Sequence, residues 1–219
     1  MYFKTFEENM HKHYSFDIKY KHQSLFMKFL GTLLFFNKGF MTTFITTIGS
    51  TVYFPDEEFI LKDEFGSCQI LAHELVHVKQ ANKYSKILFS FLYLFPQCLI
   101  FLALLAPISL WFLLFLVCIL PIPAPFRTAF EIGGYTMSLF VSYLCGKYVR
   151  KSNDADLHSY LEASAEYIDK TYFKGSAYCF MWPFGTNLSN KITDIENDVI
   201  SGTDEIYNCV RQSYLNSVS

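Results

Sequence analysis

Residues 73–77 read His-Glu-Leu-Val-His, and a run of 40 residues without one charged side chain, Ile87–Phe126, begins ten positions after His77. On a helix, residues four apart project from one face, so His73 and His77 can present both imidazoles to one ion. Glu74 is offset from that pair and stands beside the ion instead of on it. In this arrangement a zinc ion lowers the pKa of its bound water toward about 7, and the carboxylate takes the proton as the water attacks. The competing reading is a core helix that merely contains two hydrogen-bonded histidines. The flanking Ile70, Leu71, Ala72, Leu75 and Val76 suit a buried helix under either reading. A helix start is written at Asp63-Glu64-Phe65-Gly66-Ser67, where Asp63 or Ser67 can cap and the acids complement the positive end of the helix dipole. From there no Gly or Pro occurs between Ser67 and Pro96.

Catalytic zinc typically takes three protein ligands and keeps one position open. Residues 80–86 read QANKYSK, so no third histidine follows about ten residues past His73. A carboxylate on a later helix is the alternative. Glu131 is the only acidic residue between Glu74 and Asp154, and it follows the apolar run directly. Gly133 and Gly134 would let its helix approach the histidine helix closely. The plainer reading pairs Glu131 with Arg127 at the protein surface, four residues apart on one helix.

With these residues in place, the chain resembles the gluzincin metallopeptidases, especially the membrane-embedded M48 type. The resemblance covers roughly residues 44–145 and rests on a strand, His73-Glu74-x-x-His77, an apolar hairpin and the downstream Glu131. It implies one Zn2+ ion held by His73, His77 and Glu131, with Glu74 as general base. The M48 pattern usually has Ala and Asp at the third and fourth positions after the ligand Glu; here they are Gly134 and Tyr135. The acid that would orient a ligand histidine is therefore missing, and Tyr135 or Gln80 is the expected substitute. Arg127 is expected to orient Glu131. Tyr178 and His158 are the candidates for stabilising an oxyanion.

The expected fold is mainly α with a small β element, a single domain over residues 1–219. Phe44–Phe54 is rich in β-branched and aromatic residues and reads as a strand or a hairpin bending at Gly49-Ser50. Its edge could pair with an extended substrate, or it could be an ordinary core strand. Thr128–Val149 and Asp156–Phe173 read as helices, the latter capped by Asn153, Asp154 or Asp156. Gly175–Gly185 reads as an aromatic loop, and residues about 187–219 as two amphipathic helices separated near Gly202. The segment Met1–Gln23, with His11, His13 and His22, reads as a solvated arm. Leu25–Phe36 is too short to span a bilayer and is expected to lie in its interface or over the core.

Within the uncharged run, a break near Pro107 leaves two apolar helices, roughly Lys83–Ala106 and Ile108–Leu120. His77 and Glu131 can share one ion only if the chain between them crosses a bilayer an even number of times or not at all. A membrane hairpin over about 87–126 meets this condition. Lys79, Lys83 and Lys86 precede it, and Arg127, Lys147, Arg150 and Lys151 follow it, which puts both ends and the metal site on the cytoplasmic side. No apolar signal segment is written in the first 24 residues. The six cysteines are spaced 20–34 residues apart, without a paired motif, and fit a reducing compartment.

A net charge of −2 gives no electrostatic argument for nucleic acid. With 24 Phe and 15 Tyr, the composition suits contact with lipid. The expected activity is zinc-dependent hydrolysis of a peptide or protein at a membrane. Two other readings stand beside it: a non-catalytic membrane scaffold whose structural or vestigial metal is closed by a fourth ligand, and a virion or host-targeting membrane protein in which the hairpin alone matters.

Overall fold

Gly49 allows the chain to reverse at the point where the strand-forming residues pause. In the computed structural model it adopts φ 61° between β2 (Thr46–Ile48) and β3 (Thr51–Phe54), which pair antiparallel with Thr47 opposite Val52. A left-handed φ carries no Cβ penalty at glycine, so the turn forms where the sequence places it. The structure describes residues 2–35, 37–120, 122–174 and 187–218. A third strand, β1 (Asp17–Tyr20), runs parallel to β3, giving the order β1-β3-β2 with β2 at an edge.

The first 23 residues are not a solvated arm. They form α1 (Tyr2–His11) and β1, and Phe3, Phe6 and Met10 lie in the main core. These apolar residues sit at helical spacing among charged neighbours that hide them in a plain composition count. Phe6 meets the ring of Tyr214 edge-on, 6.4 Å between centroids. The histidines of this segment do not gather: His11 stacks on Phe16 and faces Glu7, while His22 faces Asp56.

α2 (Leu25–Leu33) leaves Leu25, Phe26, Phe29 and Leu33 exposed, and α3 (Glu57–Lys62) follows the sheet. α4 (Glu64–Tyr84) is capped as expected, Asp63 accepting from the Gly66 N–H at 2.9 Å. It stops at Ser85, where φ is 68° and the hydroxyl caps α5 (Lys86–Leu94). The apolar run therefore differs from two continuous helices. Pro96 lacks a donor and holds Phe95 extended, so α5 ends there. Two 3-10 segments follow, Gln97–Leu105 and Leu110–Ile119, the first bent 92° from α5.

Among the described residues no single helix is long and apolar enough to cross a membrane; α5 with Gln97–Leu105 reaches that length only as a bent pair. Ile87, Phe101, Leu104, Ile108, Leu110 and Trp111 are all exposed. Gln97 Nε2 donates to the Ile122 carbonyl at 2.7 Å and ties the two ends of the excursion together.

α6 (Pro125–Leu144) starts with proline, whose missing N–H is no loss at a helix N-terminus. It packs against α4 in antiparallel register, with Gln69 opposite Ser138 and Ser142, and Gln80 opposite Phe130. α7 (Asp154–Ile168) is capped by Asn153. The tail folds as three helices instead of two, α8 (Leu188–Glu196), α9 (Val199–Thr203) and α10 (Glu205–Val218), because Asp198 turns left-handed (φ 60°) and Asp204 is extended. The aromatic stretch Gly175–Gly185 lies outside the described residues.

Phe6→Ala is expected to destabilise the protein by about 3–5 kcal/mol in denaturant titration, the cost of emptying a core site. A solvated arm would give a change within about 0.5 kcal/mol.

Candidate metal centre

α4 and α6 approach closely where α6 has no side chain. A Cβ placed on Gly134 would stand 2.5 Å from His73 Nε2, and one on Gly133 would stand 3.1 Å from Gln80 Nε2. That proximity brings Glu131 against both histidines: its Oε2 lies 3.3 Å from His73 Nε2 and 3.7 Å from His77 Nε2. The three ligand atoms fall within 4.8 Å of one another. Ligands about 2.0–2.1 Å from a tetrahedral ion stand roughly 3.3–3.4 Å apart, so the two Glu131 contacts are near that spacing and the group could hold a metal ion. Glu131 is buried and is not a surface partner of Arg127.

The outward-facing nitrogens are fixed too. His73 Nδ1 is 3.2 Å from Ser138 Oγ, and His77 Nδ1 is 2.9 Å from Gln80 Oε1. With each Nδ1 protonated and donating, each Nε2 is left to face the Glu131 side. Gln80 in turn donates to the Phe130 carbonyl at 3.3 Å, and so holds His77 and α6 together. Of the two residues expected to orient a histidine, Gln80 lies against His77 Nδ1 and Tyr135 meets the His73 ring edge-on at 4.8 Å, while Ser138 lies against His73 Nδ1. Glu131, Gly134 and Ser138 share one face of α6 at helical spacing, a signal that could have identified Ser138 from sequence. Tyr93 of α5 donates its hydroxyl to Glu131 Oε1, and the Arg127 guanidinium lies 4.5 Å over the Tyr93 ring.

Glu74 is half-buried on the sheet side of α4 and accepts a hydrogen bond from Thr47 Oγ1 of β2 at 2.7 Å. Lys21, fully buried, donates to the carbonyls of Phe40 and Phe44 at 2.6 and 2.8 Å, fixing the loop that leads into β2. Burial pushes the Lys21 ammonium down to about 8, against the opposing pull of Glu74. His158 belongs elsewhere: its Nδ1 lies 2.9 Å from Glu196 and its Nε2 3.5 Å from Glu162, which joins α7 to α8. Tyr178 lies outside the described residues. A cleft of about 530 Å3 opens between the β2–β3 turn and the start of α5, lined by Asp17, Gly49, Lys86 and Ser90 among others, and none of the three candidate ligands lines it.

Burial disfavours the His77 imidazolium, but Glu131, with smaller help from Glu74 and Gln80, outweighs it and raises His77 to about 9. Burial alone would raise Glu131 as well; the charge on His77 and hydrogen bonds from both histidines hold it well below the usual carboxylate range. No known family, curated protein or solved structure shows a significant match to the chain.

Three outcomes follow from this geometry. Gly134→Ala is expected to weaken metal binding at least tenfold by displacing His73, measured by competition with a chelator. The stability that His77 contributes is complete below its unfolded value of 6.5 and is lost as pH rises through about 9. That from Glu131 is present above 4.5 and is lost as pH falls toward its depressed value. Metal loading replaces the proton on His77, so calorimetry at pH 7 in buffers of different ionisation enthalpy should show proton release.

Proposed function

We propose that the protein is a zinc-dependent peptidase working at a membrane surface, with His73, His77 and Glu131 as the metal ligands and Glu74 as general base. The observation that carries this reading is the division of labour on α4. Two imidazoles and a buried carboxylate converge on one point, while the neighbouring carboxylate is held apart by a hydroxyl from the sheet edge. When bound, the ion would supply Lewis acidity toward a water and a peptide carbonyl. Glu74 then accepts a proton from the attacking water and returns it to the leaving amine. Thr47 keeps that carboxylate oriented. An extended peptide paired to β2 would lie on the strand that carries Thr47.

A nitrogen-and-oxygen ligand set suits zinc, and among the described residues the group has three members, which favours a catalytic centre over a closed structural one. The scaffold reading requires a fourth ligand, such as His158 or an N-terminal histidine; of these, His158 faces Glu162 and Glu196, His11 faces Glu7, and His22 faces Asp56. Membrane association draws its support from the exposed apolar side chains of residues 87–120, and the basic flanks favour a cytoplasmic face.

Glu74→Gln is expected to retain one zinc per chain and to lose proteolysis of a denatured protein substrate by about a hundredfold or more. Undiminished proteolysis in a zinc-loaded Glu74→Gln protein rules the mechanism out.

A further inference from the structure

The first helix of the apolar run sends one side chain into the metal centre. α5 is two-faced. Phe89 and Tyr93, four residues apart, turn inward: Phe89 packs on Phe130 of α6 at 4.8 Å, and their rings lie 6.2 and 6.0 Å from that of His77. Ile87, Leu88, Phe91 and Leu94 turn outward and are exposed. The inward side chains belong to a small cluster with Ala81 and Phe130, separate from the main core. Little apolar packing therefore anchors α5, and whatever moves α5 moves Tyr93.

The carboxylate of Glu131 is shared between two duties. Oε2 faces the histidines, and Oε1 accepts the Tyr93 hydroxyl. A charge-assisted hydrogen bond from a phenol fixes which oxygen is offered to a metal. Beyond Lys86, the outer face of α5 is hydrocarbon except for the Ser90 hydroxyl, which donates to the Lys86 carbonyl, and the stretch between Glu74 and Glu131 holds Lys79, Lys83, Lys86 and Arg127 and no acid. Lys79 is paired with Asp204, whereas Lys83 and Lys86 stand at the root of the exposed apolar face. Hydrocarbon bordered by cationic groups fits an anionic lipid surface.

We propose that Tyr93 is a positioning residue of the metal centre, holding Glu131 as a one-oxygen ligand, and that through it the seating of α5 in an anionic bilayer and the loading of the metal form one linked equilibrium. The inference rests on the zinc-peptidase reading of the same site. Linkage is reciprocal: lipid that stabilises the docked α5 tightens the metal, and metal that stabilises docked α5 strengthens lipid binding by the same factor.

The test is the zinc dissociation constant of the full chain, by competition with a chromophoric chelator, in neutral detergent and in phosphatidylcholine vesicles containing phosphatidylserine. Three proteins are compared: wild type, Tyr93→Phe and, as a control at the end of α4, Tyr84→Phe. Tyr93→Phe keeps the ring that packs on Phe89 and lies under Arg127, so it removes the hydroxyl alone. The expected result is tighter zinc binding in anionic vesicles for wild type and for Tyr84→Phe. Tyr93→Phe should bind zinc about 10–100-fold more weakly and respond less to the vesicles. Equal affinities for wild type and Tyr93→Phe overturn the proposal, as does a wild-type affinity that vesicles leave unchanged. Both leave the metal centre standing. A wild-type protein that binds no zinc in either medium overturns the site itself.

Discussion

A carboxylate buried between two imidazoles governs how the rest of this molecule is arranged. An unpaired buried carboxylate costs several kcal/mol, so Glu131 is tolerable only if its partners are held in place. The protein holds them by bringing α4 and α6 together where Gly134 leaves room, and by fixing register through Gln69, Gln80 and Ser138. The antiparallel packing of these two helices, the placement of the sheet over Glu74 and the position of α5 beside Glu131 are all referred to that one contact. Loosening it separates three ligand atoms that have no other reason to meet.

The His73, His77 and Glu131 group sits between two surfaces of different character. On one side, the polar edge of a three-stranded sheet reaches Glu74 through Thr47. On the other, α5 and the 3-10 segments after it expose an almost unbroken apolar surface. The two surfaces meet at the cleft where the β2–β3 turn faces Lys86, Ile87 and Ser90 of α5.

Much of this was legible in the sequence, for physical reasons that differ from residue to residue. The pair His73 and His77 declares itself because helical periodicity forces both onto one face. Glu131 was found by elimination, since a long uncharged run leaves few acids to choose from. The hairpin at Gly49 and the Asp63 cap follow from local backbone preference. The errors came where tertiary contacts override local pattern. The amino-terminal helix hides three core side chains among charges, and its role depends on α10, which lies at the far end of the chain. In the apolar run, Pro96 and Pro107 offer competing breaks, and the helix ends at the first of them, whereas the sequence reading divides the run near Pro107. Tyr93 was invisible because its meaning depends on which oxygen of Glu131 faces the histidines. His158 instead faces Glu162 on its own helix and Glu196 on α8.

X-ray absorption spectroscopy of the purified, zinc-loaded protein tests the central claim most directly, because it reads the ligand atoms themselves. One zinc per chain should show two imidazole nitrogens and oxygen ligands at about 2.0–2.2 Å, without sulfur. A sulfur shell near 2.3 Å would place the ion on cysteines instead, and a protein that retains no zinc would remove the metal centre from the account altogether.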